Sequence, residues 1–426
     1  MPALLPALLL LCRLSIAFPG AEEPATPNEL LAAGPPTFVV GTAGDEKANR
    51  AMAGQALFVR DLLFPGAPIL ADAEVLGAGG VPVWPARPVV YGGPHVNALL
   101  AALAADLPFR LEPHRLEIGG EVFAGDDVRL IALVPAGPGD GTRAGHPAFL
   151  LYGGTATPGI AEINAIPHGG DPFLVADAFG PLVAGRWERG EDGRPRARIG
   201  RRLPRIPWRE DAAGRARRIH RPALLPPRPE DAEGDRHVLA HLAELAPKLS
   251  IEAPVELELH LYPDRRSKES LTGRGGDAHA IVEARVVHAL AAEPAVLARL
   301  LAHEATHVLL YHAWGPAGSP LLGEGLAVWA AGGYGGIALD EWRERIERPV
   351  PTALALLGPE FRQLPEARAY PLAGLLVAAL VETVGMEKLA RHLYGAAPST
   401  WEAACAGAGT TPTAVEDAFH RACSAR

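Results

Sequence analysis

The clearest hydrophobic pattern in the chain is a helical one between residues 294 and 314. Apolar residues such as Leu301 and Val308 recur along it at helical spacing, which predicts a helix that is buried over most of its surface. Pro294 suits the first turn, because the backbone donor that proline lacks has no helical partner there in any case. Gly315, which is followed by a proline, is a typical helix end.

The patterns around this helix predict two strands and further helices. Residues 255–262 and 278–288 alternate between apolar and polar side chains, as strands do. Further helices are expected at 231–249 and at 320–329.

Residues 37–184 show a different order of elements. A strand pattern at 38–40 leads into Gly-Thr-Ala-Gly at 41–44 and a helical pattern, and further strand and helix patterns follow. This order predicts an α/β layered domain. The segment 41–44 has neither a Walker lysine nor the dinucleotide-binding spacing, so we interpret it as a tight turn. We interpret Asn97 as a residue that starts a helix or, alternatively, as a polar contact for a ligand.

An Arg- and Pro-rich stretch, residues 185–231, separates the two predicted domains. Its prolines and mixed charges are typical of a solvated linker, although a basic run could also contact an acidic polymer or lipid headgroups. We therefore expect a linker here.

Length, charge and one missing motif limit the possible functions. The 426 residues allow two or three domains, and a formal net charge of −9 argues against a general nucleic-acid-binding protein. The chain contains no Gly-x-Ser-x-Gly sequence, so it lacks the usual nucleophile elbow of an α/β serine hydrolase.

The central predicted helix contains His303-Glu304-Ala305-Thr306-His307, which is a His-Glu-x-x-His pattern. Histidines four residues apart lie on one face of a helix, so both imidazoles can reach one metal ion with Glu304 beside it. The alternative is a core helix with two hydrogen-bonded histidines. A catalytic zinc ion takes three protein ligands and keeps one position open, so a third ligand is required.

Glu324 is the best candidate for the third ligand. It lies between Leu322 and Leu326 on a short apolar helix, where a carboxylate needs a partner and zinc can be one. The alternative is a solvated glutamate that interacts with the dipole of a helix start.

These residues together resemble the gluzincin metallopeptidases, a thermolysin-related group that includes the bacterial peptidase MA-like domains. The resemblance covers about residues 232–426 and rests on His-Glu-x-x-His followed by Glu-Gly-x-Ala. It implies that His303, His307 and Glu324 bind Zn²⁺ and that Glu304 is the general base. It also implies a sheet under the active-site helix, whose last strand can pair with a peptide, and two closing helices.

The resemblance further implies a donor that stabilises the oxyanion from a later element. Tyr370 is our choice and Tyr334 is its competitor, although either tyrosine could instead be a packing residue. Related enzymes often have an aspartate where this chain has Val328, so another group must orient the histidines. His312 lies off the ligand face and is not counted as a ligand. A non-catalytic binding or scaffold protein that retains a zinc site is the second hypothesis.

Residues 1–21 resemble a signal peptide in length and apolar character, which predicts a secreted or periplasmic protein. No basic residue precedes the apolar run and Arg13 interrupts it, so a mis-assigned start or a buried helix is the alternative. Cys12 lacks the preceding small residue of a lipidation site. Cys405 and Cys423 could form a disulfide or could be small buried residues.

The sequence thus predicts an α+β protein with a small gluzincin-like metallopeptidase domain, made of a mixed sheet, an active-site helix and C-terminal helices. The α/β layered domain before it shows a more limited resemblance to accessory domains of bacterial α/β-hydrolase-like proteins, which implies a recognition or scaffold role. A peptide or protein is the expected partner. We expect no nucleic acid and no stable membrane span, and the oligomeric state stays open.

Overall fold

The computed structural model describes residues 24–77, 80–137, 145–161, 163–166, 168, 170–203 and 205–424. The expected signal peptide, residues 1–21, lies outside the described residues. Two compact units are present. The first is Met1–Arg205 with Arg265–Gly276, and the second is Ile206–Asp264 with Asp277–Arg426. The fold is α+β with several sheets, as predicted.

The first unit contains an eight-stranded sheet and a separate three-stranded sheet. Its strands are β1 (Thr37–Val40), β2 (Ile69–Ala71), β3 (Pro88–Tyr91), β4 (Phe109–Glu112), β5 (Arg115–Ile118), β6 (Glu121–Ala124), β7 (Arg129–Val134), β8 (Phe149–Gly154), β9 (Phe173–Asp177), β10 (Gly180–Arg189) and β11 (Pro195–Arg202). Its first helices are α1 (Pro27–Ala32), α2 (Glu46–Leu63), α3 (Asp72–Leu76), α4 (Ala98–Leu103) and α5 (Thr157–Ile160).

The order of the large sheet is β11-β10-β9-β7-β8-β3-β1-β2. Strands β2, β1, β3 and β8 pair in parallel, and the remaining pairs are antiparallel. Every residue of β7 and β8 is buried. A sheet that is covered on both faces requires such continuous apolar strands, which explains the apolar runs in the sequence.

The stretch 185–231, predicted as a linker, instead contains half of β10, all of β11 and two strands of the second unit. Arg198 on β11 lies 3.0 Å from Glu188 on β10, and Arg186 lies 2.8 Å from the same carboxylate. Exposed strands whose charges pair across the sheet have the composition of a linker, which explains the error. The two units meet in sequence between Arg205 and Ile206, and not at a linker that ends at 231.

The second unit contains a five-stranded sheet, a two-stranded sheet and most of the helices. Its strands are β12 (Trp208–Gly214), β13 (Arg217–Pro222), β14 (Leu257–Tyr262), β15 (Ala278–Ile281), β16 (Val286–Leu290), β17 (Gly333–Tyr334) and β18 (Ile337–Ala338). The next helices are α6 (Pro229–Ala243), α7 (Leu245–Lys248), α8 (Arg265–Thr272, which belongs to the first unit), α9 (Pro294–Trp314) and α10 (Pro320–Ala331). The last helices are α11 (Leu339–Arg345), α12 (Ala353–Leu357), α13 (Glu360–Gln363), α14 (Glu366–Val384), α15 (Met386–Lys388), α16 (Trp401–Ala408) and α17 (Pro412–Ala422).

The five-stranded sheet has the order β12-β13-β14-β16-β15, with β14 paired in parallel to both of its neighbours. The segment 278–288, predicted as one strand, is an antiparallel hairpin of β15 and β16. Arg285 has φ +59° and its amide donates to the carbonyl of Val282 at 3.2 Å, so the chain turns there while its apolar alternation continues.

One core joins this sheet to helices α9, α10 and α14. Cys405 and Cys423 are free cysteines buried within this core. Of the two alternatives from the sequence, a disulfide or small buried residues, the structure has the second. Among the described helices, α14 is long and apolar enough to cross a membrane, and more than half of its apolar window is buried inside the chain. The expected lack of a stable membrane span stays a prediction.

Candidate metal centre

Helix α9 begins and ends where the sequence predicts. The side chain of Glu293 accepts from the amides of Ala295 and Val296 before the first turn, and Gly315 with φ +86° follows the last. Leu301, Ala305 and Val308 are fully buried against the core, whereas His303 and His307 are only partly buried. Packing of one face against the core therefore holds the helix in place, and both imidazoles lie on another, partly exposed face.

Helix α10 brings a carboxylate to these imidazoles. Ser319 starts the helix, because its Oγ accepts from the amide of Leu321 at 3.3 Å and donates to the carbonyl of Leu357 at 2.9 Å. Lys248 donates to the carbonyls of Trp329 and Ala330 at the other end, at 3.2 and 2.9 Å. Both ends of the helix that carries Glu324 are thus anchored to other elements.

Two glycines let α10 and α14 approach each other closely. A Cβ atom on Gly325 would lie 2.6 Å from the carbonyl oxygen of Ala373, and one on Gly374 would lie 2.5 Å from Cγ1 of Val328. Neither position can accept a larger residue unless the helices move. The positions of Glu324 on α10 and Tyr370 on α14 relative to each other are therefore fixed by a tight contact between the two helices.

The three predicted ligands converge in the structure. Nε2 of His303 lies 3.3 Å from Oε2 of Glu324, and Nε2 of His307 lies 3.4 Å from the same oxygen. Ligand atoms of all three side chains lie within 4.8 Å of one another. These separations are close to those expected between ligands that share one tetrahedral ion with bonds of about 2.0–2.2 Å.

The burial and the negative charge of the Glu324 carboxylate fit a cation at this position. Its Oε2 is buried and accepts no hydrogen bond of regular geometry from the described residues. Burial alone would raise the pKa of Glu324, but His307 and His303 outweigh it and hold that pKa well below its usual range. A buried, charged and poorly bonded oxygen between two imidazoles is the arrangement that a zinc ion would satisfy.

Neither a protein-family model nor a curated protein sequence matches this chain. The solved structures to which it is similar include M1 zinc metallopeptidases. That from Deinococcus radiodurans is 15% identical, with a TM-score of 0.30 over 57% of this chain and 60% of that one.

A mutant two-domain M1 zinc metallopeptidase bound to L-arginine is 15% identical, with a TM-score of 0.29 over 57% of this chain and 61% of that one. The form bound to L-tryptophan is 15% identical, with a TM-score of 0.30 over 58% and 62%. This chain therefore spans only 60 to 62% of the length of these structures. The likeness is a distant one of fold, and it assigns no role to any residue here.

Both candidate tyrosines lie beside the metal centre, as neighbours of each other. The rings of Tyr370 and His303 are 6.1 Å apart at their centroids, and Tyr334 stacks on Tyr370 at 4.9 Å. Trp342 donates from Nε1 to the carbonyl of Tyr334 at 2.9 Å, which fixes the short strand β17. Tyr370 is thus the tyrosine in ring contact with a predicted ligand, and Tyr334 packs against it.

Burial and nearby carboxylates keep both phenols protonated. Burial raises the pKa of Tyr334 to about 12, with Glu366 and Glu324 adding to the shift. Burial likewise raises the pKa of Tyr370 far above its usual value, and Glu324, Glu366 and Glu304 add to it. A phenol in this state is a hydrogen-bond donor at neutral pH.

Val328, which replaces the aspartate of related enzymes, and His312, which the sequence excluded as a ligand, both have structural partners. Val328 is fully buried and its side chain faces Gly374, so this position points into the α10–α14 contact. An aspartate there would be buried in that contact. The Nε2 atom of His312 lies 3.0 Å from the carbonyl oxygen of Val282, in agreement with its exclusion as a ligand.

The candidate residues of the first unit have structural roles. Asn97 accepts from the amide of Leu100 at 3.1 Å and donates to the carbonyl of Tyr91 at 3.0 Å, so it caps α4. A Cβ atom on Gly41 would lie 2.4 Å from the carbonyl oxygen of Val96, which explains a glycine in the tight turn at 41–44.

A second group of possible ligands was missed by the sequence reasoning. His220, Glu258 and His260 lie on β13 and β14 and also have ligand atoms within 4.8 Å of one another. Only the alternation of His260 with Leu259 and Leu261 was visible in the sequence. The pairing with His220 depends on a strand register that no local pattern specifies.

Proposed function

We propose that the second unit is a zinc-dependent peptidase in which His303, His307 and Glu324 hold the metal ion. The observation that carries the proposal is the convergence of both Nε2 atoms on Oε2 of Glu324, at 3.3 and 3.4 Å. Three protein ligands of this kind leave a fourth position for water or substrate, which distinguishes a catalytic from a structural zinc site.

Glu304 is the general base of the proposed reaction. Zinc bound at this site would supply a Lewis acid that polarises the peptide carbonyl and lowers the pKa of water to about 7. Glu304 lies next to His303 on α9 and is partly exposed. It takes a proton from the attacking water as general base and later delivers that proton to the leaving amine as general acid.

Tyr370 donates a hydrogen bond to the oxyanion that develops on the peptide carbonyl. Its ring lies beside His303, and its raised pKa keeps the phenol proton available for donation. Such a donor stabilises charge that is present only in the transition state. Tyr334 would act as the support that holds the Tyr370 ring.

An extended peptide is the substrate class that the surroundings favour. Helix α9 packs against β15 and β16, and β15 is the last strand of its sheet. A peptide that pairs with β15 as an added strand would lie along α9, where its backbone can reach the metal centre. The first unit would serve as a recognition or scaffold module, and residues 1–21 would direct export.

The matched pair Glu304→Gln and Glu382→Gln tests the proposed reaction. Glu382 is an exposed glutamate on α14, so its change serves as the control. Full-length untagged proteins would be incubated with a mixed peptide library, with cleavage followed by mass spectrometry and metal content by elemental analysis. We expect Glu304→Gln to keep the zinc content of the wild type and to slow cleavage by about 10²- to 10⁴-fold.

Cleavage that is unchanged in Glu304→Gln would refute the mechanism. A wild type that holds zinc at His303 and His307 but cleaves nothing would support a non-catalytic metal-binding protein. Analysis of the mature N-terminus after expression of the full chain in a bacterium with a periplasm tests export, because an intact residue 1 would contradict it.

A further inference from the structure

Four histidines form a row across the five-stranded sheet of the second unit. His220 on β13 is paired with His260 on β14, which is paired with His288 on β16, which is paired with His279 on β15. Residues paired on neighbouring strands point to the same face of a sheet. These four side chains, termed the histidine row, therefore share one face.

The histidine row lies on the face opposite to helix α9. The residues that flank the histidines along their strands, including Ile219, Leu259, Leu261 and Val287, belong to the core that also contains the buried residues of α9. Successive side chains of a strand alternate between faces, so the histidines point away from that core. The row is thus separate from the candidate metal centre.

Neighbouring rings of the row are in contact. The centroid distances are 4.7 Å for His220 and His260, 5.6 Å for His260 and His288, and 4.9 Å for His279 and His288. The phenol oxygen of Tyr262 lies 2.8 Å from Nδ1 of His288. Imidazole nitrogens are therefore concentrated along one line of the sheet.

One end of the row also contains a carboxylate. Glu258 lies two residues before His260 on the same face of β14, and its Oε2 contacts Nε2 of His220. Arg218 donates to the other oxygen, Oε1, at 2.6 Å, which directs Oε2 towards the histidines. The ring of Trp208 lies 4.5 Å from that of His260 and gives this end an apolar wall.

We infer that this end of the row, His220, Glu258 and His260, binds a divalent transition-metal ion of the zinc class. Their ligand atoms lie within 4.8 Å of one another. Two imidazoles and one carboxylate suit zinc, cobalt, nickel or copper, whereas magnesium and calcium take mainly oxygen ligands.

Binding requires a small rearrangement of His220. Its ring is stacked on that of His260 at an interplanar angle of 13°, so it must turn before both ring nitrogens can converge on one ion. His220 is the more exposed of the two and can turn more freely. The bound ion would replace its contact with Glu258 and would link β13 to β14, which stabilises the sheet.

Zinc content of the untagged full-length protein tests the inference, because the two sites can be removed separately. The background variant His303→Gln with His307→Gln lacks the candidate metal centre. After equilibration with ZnCl₂ and removal of the excess, it should retain about one Zn²⁺ per chain. Adding His220→Gln and Glu258→Gln should abolish this zinc.

The matched control adds His237→Gln, a change of an exposed histidine on α6, to the same background and should retain the zinc. Circular dichroism without zinc identifies variants that fail to fold. If the fourfold variant fails, Glu258→Gln alone in the background replaces it, and it should lower zinc affinity by at least about tenfold.

Two results would overturn the inference: a folded background variant that binds no zinc, or zinc binding with unchanged affinity after Glu258→Gln. Peptide cleavage is not read in this experiment, so the outcome is independent of the proposed peptidase activity.

Discussion

The change Gly325→Ala should destabilise the second unit even though alanine is the better helix former. Gly325 is buried on α10 beside Glu324, in the contact with α14. The added Cβ would lie 2.6 Å from the carbonyl oxygen of Ala373 and 2.8 Å from Cγ2 of Val377. The first of these is a backbone atom, so the helices must separate and carry Glu324 away from the histidines.

Two opposing effects set the magnitude. Alanine gains about 1 kcal/mol over glycine in a helix interior, and overpacking of a tight core costs about 1–3 kcal/mol. The expected net loss in the free energy of unfolding is roughly 1 kcal/mol. Gly323 on the same helix is the control, because its Cβ would lie 3.5 Å from Cβ of Ala317, an ordinary contact. Gly323→Ala should therefore gain up to about 1 kcal/mol, which separates the variants by about 2 kcal/mol.

Urea unfolding followed by tryptophan fluorescence measures this difference, and zinc titration measures the displacement of Glu324. Gly325→Ala should bind zinc more weakly than the wild type, whereas Gly323→Ala should not. If Gly325→Ala proved at least as stable as Gly323→Ala, with unchanged zinc affinity, the tight contact would not position the metal centre.

Three further predictions concern single side chains. Tyr370→Phe should lower kcat by about 10²- to 10³-fold at unchanged zinc content, and Tyr334→Phe should lower it less, in the peptide-library assay; equal effects would contradict the assignment. Val328→Asp should destabilise the second unit by roughly 3 kcal/mol in urea unfolding, because the charge would be buried against Gly374; a neutral effect would place this residue elsewhere. Burial lowers the pKa of His168 from 6.5 to about 4, so the folded state resists protonation and stability should fall as pH drops from 6.5 towards 4. The loss in the free energy of unfolding should be at most about 3 kcal/mol. His168→Gln should remove this pH dependence when urea unfolding is measured across the same pH range.

Local signals explain which parts of the second unit the sequence could predict. The bounds of α9 follow from Pro294 and Gly315, and the common face of His303 and His307 follows from helical spacing. Glu324 required one further step, namely that a carboxylate in an apolar helix needs a partner. The structure brings His303, His307 and Glu324 together, although each was predicted from its own local sequence.

Features that depend on pairing between distant segments were missed or misassigned. The strands β10 and β11 have charged exposed faces, and Arg198 pairs with Glu188 across ten positions in sequence. Only this pairing distinguishes them from a linker. The hairpin of β15 and β16 was predicted as one strand because Arg285, in a left-handed turn, does not interrupt the alternation.

The two groups of possible ligands in the second unit differ in how strongly they depend on strand register. His303 and His307 stay on one face of α9 wherever the helix packs, because their spacing lies within one element. His220 meets His260 only in the observed pairing of β13 with β14. A slip of one residue would turn His220 into the core and bring Ile219 or Arg221 to the row. A metal ion that joined these strands would therefore favour the one register in which the core residue Ile219 is also buried, so metal binding and folding of this sheet would support each other.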